Sequence, residues 1–108
     1  NKYEKSFLIF KEFYDVTQGL RRLGAASLDL CFVAMGRFDG YYEYNLKKWD
    51  ICAGVLIALE SNAKVTDWDN NDVPEDGRRI VASNRKIHNE MIAILNNKKY
   101  RKYFFSYP

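Results

Sequence analysis

Two carboxylates near the middle of the chain are candidates for a functional site. They are Glu43 and Asp50, which are seven residues apart. Asp50 follows Trp49 at the predicted start of a helix, where free N–H groups and the helix dipole stabilise an anion. Trp49 is expected to shield that carboxylate from water. Two carboxylates facing one pocket can bind a hard cation such as Mg²⁺ together with substrate phosphate oxygens. On these grounds alone, a first-turn capping acid is the simpler explanation of Asp50.

The acidic loop at residues 67–72 is a second candidate site, in this case for binding calcium. An EF-hand loop that begins at Asp67 requires glycine at its sixth position and glutamate at its twelfth. Asp72 and Arg78 occupy those positions instead. A solvated loop is therefore the favoured interpretation.

The single histidine, His88, is predicted to lie on a helix beside Ile87. A surface or helix-face histidine is expected there rather than a catalytic one. The two cysteines, Cys31 and Cys52, both stand in apolar segments without a CxxC motif, so we expect buried free thiols and no zinc site. Free thiols and the absence of a signal-like start favour the cytoplasm.

The positive charge of the 108-residue chain is concentrated at its C-terminal end. Residues 98–108 carry four bases and no acid, whereas the remainder carries 13 bases and 14 acids. Bases and aromatics alternate there in a pattern that can follow a phosphate backbone. A terminal arm that buries its aromatics is the favoured alternative, so nucleic acid is not expected as a partner. No apolar segment approaches the length of a membrane span.

Helical and strand segments alternate along the chain, which predicts an α/β fold with helices packed on a sheet. Gly19 and Gly36 are expected to end the first two helices. Ser83 or Asn84 is expected to cap the last helix. The predicted helices span residues 4–18, 25–35, 49–60 and about 84–95, and the predicted strands span residues 20–23, 38–44, 64–68 and 80–82.

Three segments in this order resemble the C-terminal half of the inositol monophosphatase family. They are RRLGAASLDL at residues 21–30, VAMGRFDGYYE at residues 33–43 and WDICAG at residues 49–54. The segment GRRIVASN at residues 77–84 and the final helix resemble the end of the same family. The resemblance covers residues 21–95, and the Trp-Asp-x-x-Ala-Gly motif is its most specific part.

The resemblance implies a Mg²⁺-dependent phosphomonoesterase that acts on inositol 1-phosphate and is a homodimer when complete. It implies that Asp50 is a catalytic metal ligand and that Glu43 contacts a substrate hydroxyl. The substrate pocket is then lined by Gly24, Ala25 and Ala26. Related enzymes that share the motif act on nucleoside bisphosphates, fructose bisphosphate or histidinol phosphate, so these substrates remain alternatives.

Two departures from the family pattern bear on the substrate. The family usually has Ser or Thr where this chain has Ala25, so one pocket hydroxyl is missing. The family usually ends its third helix with Glu-Ala-Gly-Gly, where this chain has Glu-Ser-Asn-Ala at residues 60–63. Asn62 can adopt the left-handed conformation that such a turn requires.

The family's metal motif Asp-Pro-x-Asp-Gly-Thr does not occur in the 108 residues. One ligand, Asp50, cannot hold Mg²⁺. We therefore expect residues 1–108 to form the C-terminal domain of such an enzyme, inactive without the N-terminal half. A non-catalytic interaction module that retains the fold is the competing hypothesis.

Overall fold

In a computed structural model of the protein, residues 2–20, 24–44, 46–72 and 79–97 are described. The helices of this part of the chain are α1 (Lys2–Val16), α2 (Ala26–Ala34), α3 (Lys48–Glu60) and α4 (His88–Leu95). Its strands are β1 (Gly40–Tyr44), β2 (Lys64–Thr66) and β3 (Arg79–Ser83). No helix in these residues is long and apolar enough to cross a membrane.

The chain divides into two compact units. One unit joins residues 1–22 with residues 93–108, and within it Ile9 and Phe13 are buried one turn apart on α1. The other unit, residues 23–92, contains α2, α3, all three strands and the first residues of α4. Every predicted site residue lies in this second unit.

The strands form an antiparallel sheet in the order β1-β3-β2. Val81 of the central strand lies opposite Tyr42 on one side and Thr66 on the other. Because β3 is paired along both edges, Ile80 and Ala82 are fully buried. The sheet therefore forms the framework on which the helices of this unit are placed.

Alternation along the strands gives the sheet two different faces. Ile80, Ala82 and Val65 belong to one core cluster with Leu30 of α2 and Ile51 of α3. On the opposite face, a Cβ added at Gly40 would lie 2.5 Å from Sδ of Met91 in α4. Helices thus cover both faces, and the predicted layered α/β architecture is confirmed.

Helices α2 and α3 end in the same way. Gly36 has φ +79°, and the next N–H, of Arg37, donates to the carbonyl of Phe32 at 2.9 Å. Asn62 has φ +67°, and the N–H of Ala63 donates to the carbonyl of Ala58 at 3.0 Å. Both are Schellman turns with a left-handed residue after the helix. The expected stop at Gly36 and the left-handed turn at Asn62 are confirmed.

One local prediction is wrong. Ser83 does not cap the last helix, because it belongs to β3 and α4 begins only at His88. Asn84 instead accepts the N–H of Lys86 at 3.0 Å through Oδ1, in a turn that precedes the helix. Leu20 is not in a strand, and residues 21–23 of that predicted strand lie outside the described residues.

Candidate functional site

Asp50 occupies the third position of α3, counted after the N-cap residue Lys47. Its Oδ2 atom accepts the backbone N–H of Lys47 at 2.9 Å. The side chain therefore caps the helix, as the simpler explanation held. This bond occupies one lone pair, and a carboxylate offers about four, so capping leaves acceptor capacity for a cation.

Ser27, which follows the predicted pocket residues, contacts the helix that carries Asp50. Ser27, in the first turn of α2, donates its hydroxyl to the backbone carbonyl of Asp50 at 2.8 Å. Immediately before it, Gly24 has φ +84° and Ala25 is the extended N-cap residue of α2. The structure thus brings Ser27 to the backbone of Asp50, although the two residues are 23 positions apart in sequence.

Gly54 is the reason that α2 and α3 approach so closely. A Cβ at this position would lie 2.9 Å from Cβ of Leu30 and 3.3 Å from Cα of Ser27. Gly54 is itself buried. Because glycine carries no side chain, Gly54 permits this close approach of the two backbones.

Glu43 lies on β1, opposite Ile80 of the central strand. Strand alternation places it on the same face as Tyr41, which packs against the core cluster formed by α2, α3 and the sheet. Its Oε1 atom accepts the N–H of Tyr44 at 3.1 Å. Glu43 and Asp50 therefore belong to the same side of the sheet, one at the end of a strand and the other at the start of the next helix.

Two residues near Asp50 are more exposed than the sequence indicated. Trp49 is 77% exposed, so it does not shield the neighbouring carboxylate from water within this chain. Cys52 is exposed and Cys31 is only partly buried, so the expectation of two buried thiols is wrong. The apolar segment around Cys52 belongs to a helix, and only one side of that helix faces the core.

In the acidic loop, the first carboxylate accepts hydrogen bonds from the backbone of the loop itself. Oδ1 of Asp67 accepts the N–H groups of Asp69 at 2.8 Å and Asn71 at 2.9 Å. This geometry is an Asx turn, in which the side chain imitates a backbone turn. Among the described residues, no group of three or more His, Cys, Asp or Glu side chains is placed to hold a metal ion.

His88 is buried rather than at the surface, with only 1% of it exposed. Nε2 lies 2.8 Å from Oγ1 of Thr66, and Nδ1 lies 2.7 Å from Oγ of Ser83. Thr66 donates its hydroxyl to the carbonyl of Asp67 at 2.7 Å, so it must accept the proton of Nε2. Ser83 accepts the N–H of Arg85 at 3.1 Å and donates to Nδ1. This assignment gives every group of the network a partner, with the ring neutral and its proton on Nε2.

The surroundings of His88 also favour the neutral ring. Burial, followed by the positive charges of Lys64 and Arg85, lowers the pKa of His88 from 6.5 to about 4. A neutral imidazole with both nitrogens engaged inside the protein is a structural group. No sequence pattern indicated this role, because Thr66 and Ser83 are brought to His88 only in the folded chain.

The remaining proposed features lie outside the described residues. They are the arginine pair at 21–22, most of the Gly-Arg-Arg segment before β3 and the basic C-terminal tail at 98–108. Ser27, in contrast, is described and was missed. Its position directly after Ala25 and Ala26 was the available signal, since it carries the first hydroxyl after the small residues of the pocket segment.

Comparison with known proteins establishes the class. The model of the inositol monophosphatase family matches residues 2–100. The chain therefore belongs to this family, whose members include phosphatases. A putative Nus factor SuhB of Neisseria meningitidis is 50% identical over 93 residues, which cover 86% of this chain and 36% of that protein.

Two further relatives are matched over a similar share of their length. An inositol-1-monophosphatase of Caulobacter vibrioides is 48% identical over 86 residues, covering 76% of this chain and 34% of that protein. A calcium-bound structure of a family protein from Staphylococcus aureus has a TM-score of 0.75 and 32% identity, covering 82% of this chain and 35% of that one. The chain thus spans about a third of the length of these relatives.

Proposed function

We propose that this chain supplies the Asp50 side of the active site of a Mg²⁺-dependent phosphatase that hydrolyses inositol 1-phosphate. The contact between Ser27 and Asp50 at 2.8 Å carries this proposal, because it joins the pocket segment to the metal-ligand position. The remaining metal ligands would come from the part of the fold that the relatives have outside the match. We place the complete protein in the cytoplasm, as a homodimer.

Oxygen ligands suit Mg²⁺, and the carboxylate of Asp50 is such a ligand at a half-buried helix start. When bound, Mg²⁺ supplies the charge that orients a water molecule, polarises the phosphoryl group and stabilises the leaving alkoxide. In this proposal Asp50 holds the ion while its helix cap fixes the carboxylate. Glu43 accepts a hydrogen bond from a substrate hydroxyl, and the backbone of residues 24–26 lines the pocket.

A hybrid enzyme tests the proposal. The matching third of the Caulobacter inositol-1-monophosphatase is replaced by this chain, and phosphate release from inositol 1-phosphate is measured with Mg²⁺. We expect a Mg²⁺-dependent activity that Asp50→Asn lowers on the order of a hundredfold or more, because electrostatic and metal contributions are worth several kcal/mol.

Glu60→Gln is the matched control, since Glu60 is an exposed acid at the other end of the same helix. It should leave turnover unchanged. A folded Asp50→Asn hybrid that keeps near-normal turnover would show that Asp50 is not a metal ligand. Bisphosphate nucleotides, fructose 1,6-bisphosphate and histidinol phosphate are assayed in parallel, because enzymes for these substrates share the motif.

The name of the Neisseria relative favours a second candidate, a non-catalytic interaction module that retains the fold. In this chain such a role would fall to the basic residues at 98–108. A gel shift with RNA that disappears at higher salt, and on removing Lys98, Lys99, Arg101 and Lys102, would support the module. We expect no such binding at physiological salt.

A further inference from the structure

We propose that Ser27 is a positioning residue, whose hydroxyl holds the first turn of α3 so that the carboxylate of Asp50 stays in register with the pocket segment. This inference rests on the proposed function, because it assigns Ser27 to the same site. It concerns a side chain that neither the helix cap nor the pocket lining includes. Ser27 acts through Asp50 and need not touch the substrate.

The hydrogen bond joins the two helix starts directly. Ser27 lies in the first turn of α2, and its Oγ atom donates to the backbone carbonyl of Asp50 at 2.8 Å. The carboxylate of the same residue accepts the N–H of Lys47 at 2.9 Å. Asp50 is thus held at both its backbone and its side chain, which leaves the carboxylate little freedom to turn.

Close packing of α2 against α3 beside this hydrogen bond leaves little room for another side chain to join the two helices. At Gly54, one turn beyond Asp50, a Cβ would lie 3.3 Å from Cα of Ser27, so the backbones nearly touch. The preceding pocket residues Gly24, Ala25 and Ala26 have no side-chain donor. Ser27 is therefore the polar side chain that this pocket segment offers to Asp50.

The hydroxyl of Ser27 matters because the hydroxyl that the family usually has at position 25 is missing in this chain. The family resemblance leads us to expect Ser or Thr at the position of Ala25, and this chain carries its hydroxyl two residues later. Ala25 is the extended N-cap residue of α2, whereas Ser27 lies inside the first helical turn, so the two positions present their side chains differently. The hydroxyl of Ser27 is turned toward α3, where it fixes a metal-ligand position.

The test uses Ser27→Ala with Ser61→Ala as the matched control, because Ser61 is an exposed serine at the opposite end of α3. The first readout is amide hydrogen exchange in the 108-residue chain. Removing one hydrogen bond should speed exchange about three- to tenfold at Cys52, Ala53 and Gly54, whose amides close the first turn of α3. Ser61→Ala should not change these amides.

The second readout is the Mg²⁺ affinity of the hybrid enzyme, measured by calorimetry as well as by the Mg²⁺ concentration for half-maximal activity. We expect Ser27→Ala to weaken Mg²⁺ about threefold or more with an unchanged KM for inositol 1-phosphate. Unchanged exchange, or faster exchange with unchanged calorimetric Mg²⁺ affinity, would overturn the assignment. A parent hybrid that binds Mg²⁺ but hydrolyses nothing would refute the proposed function, and the exchange and calorimetric results would still decide the role of Ser27.

Discussion

Asp50 and Glu43 are both carboxylates, but the structure gives them different settings. Asp50 is fixed at a helix start by a bond from Lys47, whereas Glu43 lies on a strand and accepts the N–H of Tyr44. The helix start stabilises the ionised form of the Asp50 carboxylate, which is the form that can bind a cation. A carboxylate at the end of a strand suits a hydroxyl donor from the substrate.

The two residues should therefore differ in how their effects depend on the substrate. Asp50→Asn should lower the turnover of every substrate, because the metal acts at the phosphoryl group. Glu43→Gln should weaken only substrates with the recognised hydroxyl, by about 1.5–3 kcal/mol, the cost of losing a hydrogen bond to a charged group. The measurement is kcat/KM of both hybrids for inositol 1-phosphate and for an aryl phosphate without that hydroxyl.

A Glu43→Gln hybrid that loses the same factor on both substrates would contradict the recognition role. Thermal unfolding of each variant provides the control, since Glu43 lies opposite the buried Ile80 and a misfolded sheet would lower both activities together.

At the scale of single residues, the sequence predicted the features that depend only on neighbouring residues in the chain. The helix start at Asp50 follows from the dipole and from the Trp-Asp motif, and both are local. The bond from Ser27 and the burial of His88 depend on residues brought together from distant segments, so no spacing pattern could indicate them. The exposure of Trp49 was also missed, because a local motif does not indicate what lies across from it.

The buried hydrogen-bond network of His88 links three elements: Thr66 of β2, Ser83 of β3 and His88 at the start of α4. Both ring nitrogens are already engaged, and Ser83 donates to Nδ1. Protonating the ring would place a hydrogen on Nδ1, the atom that accepts the Ser83 hydroxyl in this network. The network is therefore intact only while His88 is neutral.

Stability should fall in acid for this reason. The pKa of His88 is about 4 in the folded chain, against 6.5 for an unperturbed histidine, so the unfolded chain takes up the proton first. The contribution of His88 is complete above about pH 6.5 and is lost as the pH falls toward 4. From pH 7.5 to pH 5 it amounts to about 2 kcal/mol in the free energy of unfolding.

Urea unfolding at several pH values measures this effect, with His88→Gln as the comparison, because glutamine keeps donor and acceptor groups but does not titrate. The wild-type chain should lose about 2 kcal/mol more than the variant over this range. Equal losses in both chains would show that other groups cause the acid sensitivity.

Among the elements, the longer helices and the aromatic strand β1 could be predicted because their periodicity is local. The glycine stop was correct for α2, whereas α1 ends at Val16 and not at Gly19. The start of α4 could not be predicted. Ser83 and Asn84 are both good capping residues, but strand pairing places Ser83 in β3 and moves the helix start to His88. Tertiary pairing overrode a correct local preference.

At the scale of the molecule, the chain leaves much apolar surface uncovered. In α2, its C-cap residue and α3, the exposed large side chains are Leu28, Met35, Trp49, Leu56, Ile57 and Leu59. Soluble monomers rarely expose large contiguous apolar patches. This surface supports the proposal that further protein packs there in the complete protein, because the chain covers only about a third of the length of its relatives.

The most direct test of this proposal compares the 108-residue chain alone with the hybrid enzyme, at equal concentration, for phosphate release from inositol 1-phosphate with Mg²⁺. We predict no release by the chain alone, because Asp50 by itself cannot hold the ion, and Mg²⁺-dependent release by the hybrid that a chelator abolishes. Release by the chain alone that Asp50→Asn removes, or a folded hybrid that releases no phosphate, would contradict the account.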